Sequence, residues 1–140
     1  MTHWITRSEV ETEAVGRELG ARLTPNGVLF LSGDLGAGKT VLVRGLAVAL
    51  GIDPAEIQSP TFTLMRSHQG PDGSLLHVDL YRLRSEEVPE LGLEEALYGP
   101  GVKVVEWAER LPFEVPGAIE LDLRRGAAER ERRIEERIKN

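Results

Sequence analysis

Gly33-Asp34-Leu35-Gly36-Ala37-Gly38-Lys39-Thr40 decides how this 140-residue chain is read. The spacing is G-x-x-x-x-G-K-[ST], that of a phosphate-binding P-loop. At ordinary residue frequencies a chain of this length carries such a match by chance about 0.5% of the time, so the motif is taken as real. Its flanks agree. Val28-Leu29-Phe30-Leu31 is a short apolar run of strand formers, and Val41 to Leu50 reads as a helix. Strand, glycine loop and helix is the setting in which this loop works. The alternative, a glycine-rich turn joining a strand to a helix, does not account for Lys-Thr directly after the last glycine.

The residue types explain the chemistry. Glycines at 33, 36 and 38 let the backbone curl so that several N–H groups point at one anion. The loop from Asp34 through Leu35, Gly36, Ala37, Gly38, Lys39, Thr40 and Val41 would then bind the nucleotide, with the positive end of the following helix behind it. Lys39 carries a full charge to the outer phosphates. The Thr40 hydroxyl suits Mg²⁺, a hard ion that keeps most of its waters.

Outward from the loop, the chain alternates strand and helix signals. Trp4-Ile5-Thr6 reads as a short strand, and Ser8 with Glu11 forms a capping box for a helix over 8–23. Val10, Ala14, Val15, Leu19 and Leu23 supply its apolar stripe. The helix over 39–50 is apolar on nearly every side, as a helix buried between layers would be. Phe62-Thr63-Leu64-Met65 and Ser74 to Asp79 flank the turn Gly70-Pro71-Asp72-Gly73, which predicts a hairpin over 62–79. A helical stretch from Ser85 is interrupted by Pro89 and Gly92, and Leu93 to Leu97 forms a further helical turn. Val102-Lys103-Val104-Val105-Glu106 is a nearly continuous apolar strand, and 118–123 alternates as a strand should. The Arg- and Glu-rich tail from Ala127 to Asn140 has Ile134 and Ile138 four apart, which locally reads as helix. The expectation is a single α/β domain over 1–140, its tail 126–140 less defined. It would be a three-layer P-loop NTPase-like fold with a mixed central sheet and helices on both faces.

Gly33, Asp79 and Glu106 each end a strand, so three strands deliver chemistry to one sheet edge, where ligands of such sheets lie. Asp79 occupies the place of a Walker B acid, near the magnesium shell. Lys39, Asp79 and Glu106 are the candidate catalytic groups, and Thr40, Asp79 and Glu106 the candidate metal ligands. Glu106 has a plainer reading as the ion-pair partner of Arg110, four residues on. Arg82 would serve as a positive finger or a hinge ion pair, and Trp107 as a partner anchor or a core residue. His77 and Asp79 share a strand face and make a weak metal pair lacking a third ligand.

Composition limits the function classes. There is no Cys, hence no disulfide and no thiolate chemistry. The net charge of −6 argues against a broad nucleic-acid-binding face. No run of 18 apolar residues and no apolar signal core is present, so a soluble, cytoplasmic protein without direct membrane contact is expected.

The ordered set Gly33–Thr40, Ser59-Pro60-Thr61-Phe62-Thr63-Leu64, His77-Val78-Asp79-Leu80-Tyr81-Arg82-Leu83 and Val105-Glu106-Trp107 resembles the TsaE (YjeE) family of small bacterial P-loop ATPases over about residues 5–125. The resemblance implies ATP and Mg²⁺ as cofactors. It implies a role in forming threonylcarbamoyladenosine beside the tRNA anticodon, with TsaD and TsaB as partners and tRNA contact through them. It places Thr61 in a switch-like segment near the outer phosphate, Thr12 with Glu11 toward the base, and Thr40 and Glu106 near the magnesium. The family ends in a strand with a basic residue near the nucleotide. Arg133 is the candidate for that residue, although the tail here reads as helix. Other expectations remain open: a nucleotide-gated binding module without turnover, a small-molecule kinase, and a GTPase, the last disfavoured by the lack of an Asn-Lys-x-Asp segment.

Overall fold

A computed structural model describes residues 2–33, 37–58, 65–84, 86–87 and 92–138. Among these residues seven strands form one sheet: β1 (Thr2–Thr6), β2 (Val28–Gly33), β3 (Met65–Gly70), β4 (Gly73–Asp79), β5 (Val102–Glu106), β6 (Ile119–Arg125) and β7 (Arg132–Ile138). Their order is β1-β7-β6-β2-β5-β4-β3. The inner four, β6, β2, β5 and β4, run parallel, while β7, β1 and β3 pair antiparallel to their neighbours. The expected mixed sheet is therefore present.

Residue pattern explains which strands are central. Val28, Leu29, Phe30 and Leu31 are all buried, because a parallel strand covered on both faces has no solvent side. Leu29 and Leu31 join one core beneath α1 (Glu9–Leu23) and α2 (Lys39–Ala49), and Val28 and Phe30 join the other with α3 (Leu93–Tyr98). Two helices thus cover one face and a shorter helix with its loops the other. Ser8 caps α1 by accepting from the Glu11 N–H, and the Glu11 carboxylate accepts from the Arg7 N–H. Helices α1 and α2 cross closely. A Cβ on Gly16 would meet the Leu42 carbonyl oxygen at 2.1 Å, and one on Gly45 would meet that of Glu13 at 2.1 Å. Val10 lies outside the buried stripe of α1, 79% exposed, and Thr12 and Gly16 take inward positions instead.

The expected hairpin is present, its first strand described over Met65–Gly70; Phe62, Thr63 and Leu64, and with them Thr61, lie outside the described residues. One sequence expectation changes. The tail is strand, not helix: β7 pairs in register with β6, Leu123 opposite Ile134, and with β1, Trp4 opposite Ile134. Ile134 is buried, whereas Ile138, its supposed partner on one helix face, is 63% exposed. The inward position after Ile134 is Glu136, whose carboxylate receives both arms of the Arg22 guanidinium from α1 at 2.8 and 2.6 Å. That hydrogen-bonded cation holds the Glu136 carboxyl below its ordinary range. A charge on the inner face, paired by a residue 114 positions away, conceals the period of two. Among the described residues no helix is long and apolar enough to cross a membrane.

Candidate functional site

The chain passes from β2 to β5 and β4 on one side and to β6 on the other, so strand order reverses at β2. A crevice opens at the carboxyl edge of such a switch point. The loop leaving β2 sits there. Its central residues Asp34, Leu35 and Gly36 lie outside the described set; Ala37, Gly38, Lys39 and Thr40 are within it. Gly38 is the N-cap of α2 at φ 100°, a left-handed conformation that favours glycine, and it gives the helix no side-chain cap. The first-turn N–H groups of α2 are therefore not occupied by a capping side chain, as an anion site at a helix start requires.

Strand alternation then loads this edge. On β4, Leu75, His77 and Asp79 share the α2 face; on β5, Val102, Val104 and Glu106 do. The pairing register sets Asp79 beside Glu106 and His77 beside Val104. Glu106 is 7% exposed, and its two carboxylate oxygens have different partners. One lies 3.4 Å from the Lys39 ammonium, the other 2.7 Å from Nε2 of His77, itself buried. Burial alone would push the Glu106 carboxyl up. The His77 hydrogen bond and charge, with Lys39, outweigh it and hold the group below the ordinary carboxylate range. Asp79 goes the other way. Burial and the neighbouring Glu106 charge raise it, against the Tyr81 N–H it accepts at 2.9 Å and the charges of His77 and Lys39. Two adjacent carboxylates driven apart in this manner, at a strand edge beside the loop lysine, make a candidate functional cluster.

The sequence-predicted residues fall as follows. Lys39, Asp79 and Glu106 converge. Thr40 and Val41 lie on the first turn of α2, half-buried. Thr12 is buried; its hydroxyl bonds Thr6 at 2.7 Å, while its methyl carbon is 3.7 Å from where a Cβ on Gly38 would stand. Arg133 points away, exposed and 3.8 Å from Glu131. Its neighbour Arg132, on the opposite face of β7, brings Nε within 4.0 Å of that same point at Gly38. A strand places successive side chains on opposite faces, so Arg132 and not Arg133 is the one turned toward Gly38. Arg110 does not pair with Glu106. Its guanidinium donates to the carbonyls of Leu80 at 3.3 Å, Leu83 at 2.8 Å and Tyr81, fastening the loop after β5 to the loop after β4. Trp107 lies between them, 5.1 Å from the Tyr81 ring and 5.1 Å from the Arg110 guanidinium carbon. Arg82 is exposed on the loop after β4.

The role sequence reasoning missed is that of His77. The shared face with Asp79 was visible, but the contact is to Glu106, 29 residues on, across the β4–β5 register. Among the described residues no group of three metal-binding side chains is formed, so the metal pair with His77 gains no third ligand. The oxygen donors do suit Mg²⁺, a hard ion: a threonine hydroxyl and an aspartate whose charge is disfavoured where it stands.

Known proteins resemble this chain over most of its length. A family model described as threonylcarbamoyl adenosine biosynthesis protein TsaE matches residues 6–134. A protein of Treponema pallidum named tRNA threonylcarbamoyladenosine biosynthesis protein TsaE is 45% identical over 113 residues, 80% of this chain and 82% of its own. The protein of that name from Bacillus subtilis is 41% identical over 113 residues, 81% of this chain and 70% of its own. A crystal structure of Bacillus subtilis YdiB superposes with a TM-score of 0.74 at 36% identity, covering 95% of this chain and 82% of that one.

Proposed function

Because the chain belongs to the TsaE family, we propose that it binds and hydrolyses ATP with Mg²⁺ in support of forming threonylcarbamoyladenosine in tRNA, acting with TsaB and TsaD in the cytoplasm. The observation that carries the hydrolytic part is Glu106, a buried carboxylate held between Lys39 and His77 and set beside Asp79.

In this reading the phosphates enter at the start of α2 and draw the Lys39 ammonium from Glu106, since a triphosphate offers it more charge. Glu106 then keeps its His77 hydrogen bond and turns its other oxygen toward the attacking water. A carboxylate with a lowered pKa is a weak proton acceptor, so Glu106 orients the water rather than removing its proton early. That suits a loose transition state, in which positioning and charge neutralisation supply most of the acceleration. Thr40 and Asp79 would hold Mg²⁺, which when bound neutralises charge on the phosphate oxygens. Arg132, whose Nε comes within 4.0 Å of a Cβ position on Gly38, would approach the nucleotide from β7 in the part expected of Arg133, and Thr12 would do so from α1.

The nucleotide-gated module without turnover keeps one observation in its favour: both Glu106 oxygens are already engaged. Reconstitution separates the two. With tRNA, TsaB and TsaD present, adding this chain should raise the yield of modified tRNA, with phosphate release faster than from the chain alone. Modification supported with no phosphate release favours the gating reading. No effect on modification overturns the proposal.

A further inference from the structure

The opposite edge of the sheet holds a group that the nucleotide site does not use. Lys103 interrupts an apolar strand and is 1% exposed. Strand alternation turns it to the α3 face, near the amino end of β5. Its ammonium donates to the carbonyls of Asn26 at 3.0 Å and Gly99 at 2.6 Å. An ammonium has three N–H donors, so two carbonyls leave one over. Among the described residues no carboxylate lies within ion-pair distance of it, and burial pushes its pKa down.

A buried charge without a counter-charge is costly, and two neutral carbonyls are acceptors that an uncharged donor would also satisfy. The surroundings give the charge a use. Lys103 borders a cavity of about 380 Å³ whose other lining residues include Val28, Leu97, Tyr98, Val115 and Gly117. Among the described residues the lining holds no acidic residue and no second cation. The volume is at the small-ligand end of the range for binding sites, and the walls combine apolar side chains with polar groups such as Asn26 around one charged group, a mixture such sites use. A phosphate would ask for several donors, whereas a single carboxylate matches one ammonium with a spare N–H.

We propose that this cavity binds a small monocarboxylate with an aliphatic body, its carboxylate on the Lys103 ammonium and its hydrocarbon over Val28, Leu97 and Val115. The site is independent of the nucleotide reading, since it lies at the amino rather than the carboxyl edge of the strands. The test titrates the ¹⁵N-labelled full chain with hexanoate and, separately, with hexanamide, which has the same body and no charge. Hexanoate should shift the amide signals of Gly99, Lys103 and Gly117 saturably, and hexanamide should bind about tenfold more weakly or not at all. Lys103→Met, checked for folding by its own amide spectrum, should lose the hexanoate response. Equal responses to the two compounds, shifts confined to the nucleotide loop, or a Lys103→Met chain that still responds would each overturn the proposal. Should that variant not fold, the hexanoate-to-hexanamide ratio in the unaltered chain decides.

Discussion

Lys103 and Glu106 stand three residues apart on β5, both buried, on opposite faces of one strand. Their partners differ in kind. Glu106 is held by two side chains, Lys39 and His77, which can rotate away. Lys103 is held by two backbone carbonyls, which cannot leave without moving the chain. A buried charge with mobile partners can exchange them when a competing charge arrives; one with backbone partners is fixed. The same strand therefore offers a responsive group at its carboxyl end and a static one at its amino end.

The sharpest way to break that contrast is at the responsive end. Glu106→Gln keeps the shape and removes the charge. Turnover should fall about 10²–10³-fold, the scale of losing one oriented polar group in an active site, while ATP affinity holds or improves because Lys39 loses a competitor. Single-turnover phosphate release checks this, and turnover within a factor of about two of the parent would remove Glu106 from the mechanism. Lys39→Ala should then weaken ATP binding about a hundredfold by calorimetry, and an unchanged affinity would undo the assignment of the loop.

His77 tests whether the mobile partners act separately. His77→Ala should lower the turnover number about tenfold with little change in KM, and His77→Gln, whose amide reaches the position of Nε2, should recover most of it. If alanine and glutamine behave alike, His77 serves packing rather than the placing of Glu106.

The smallest effect is at the static end. The folded pKa of Lys103 lies below the unfolded value, so across that window the unfolded chain binds the proton more tightly. Stability contributed by this group accordingly rises as pH climbs from the lowered folded value toward about 10.4. Glu136 and Glu106 follow the same sign in the acid range: their folded pKa values are also depressed, so the stability they contribute is lost as pH falls through them. Urea unfolding at stepped pH should show both limbs, and Lys103→Met should flatten the alkaline one alone. An alkaline slope identical in the variant would assign it to another group.

Much of the fold was legible because burial on both faces writes itself into sequence. β2 and β5 are apolar runs for that reason, and the loop between β2 and α2 has a motif of its own. The capping box at Ser8 and the turn at Gly70-Pro71-Asp72-Gly73 are local chemistry, readable without tertiary knowledge. β7 was not legible, because its inward positions are Arg132, Ile134 and Glu136, two charged residues of three, and the cation that makes Glu136 tolerable sits on α1. The strand ends Asp79 and Glu106 were readable as site residues, but the separation of their pKa values was not. It follows from a register that sets them side by side and from His77 reaching across it. Arg133, the basic residue expected near the nucleotide, faces away from Gly38 while its neighbour Arg132 faces it, because in a strand one position is a change of face.

The place of β7 in the sheet has a consequence for how the chain is made. β1 touches the sheet only through β7, and β7 only through β6 on its other side. During synthesis β1 has no strand to pair with until β7 has left the ribosome. The core of β2, β5 and β4 can close first, and the Thr6–Thr12 contact and the approach of Arg132 to the nucleotide loop come together afterwards. A nascent chain lacking β7 would already carry its phosphate loop, but with β1 unpaired, so Arg132 and the paired form of β1 join the site only once β7 has been made.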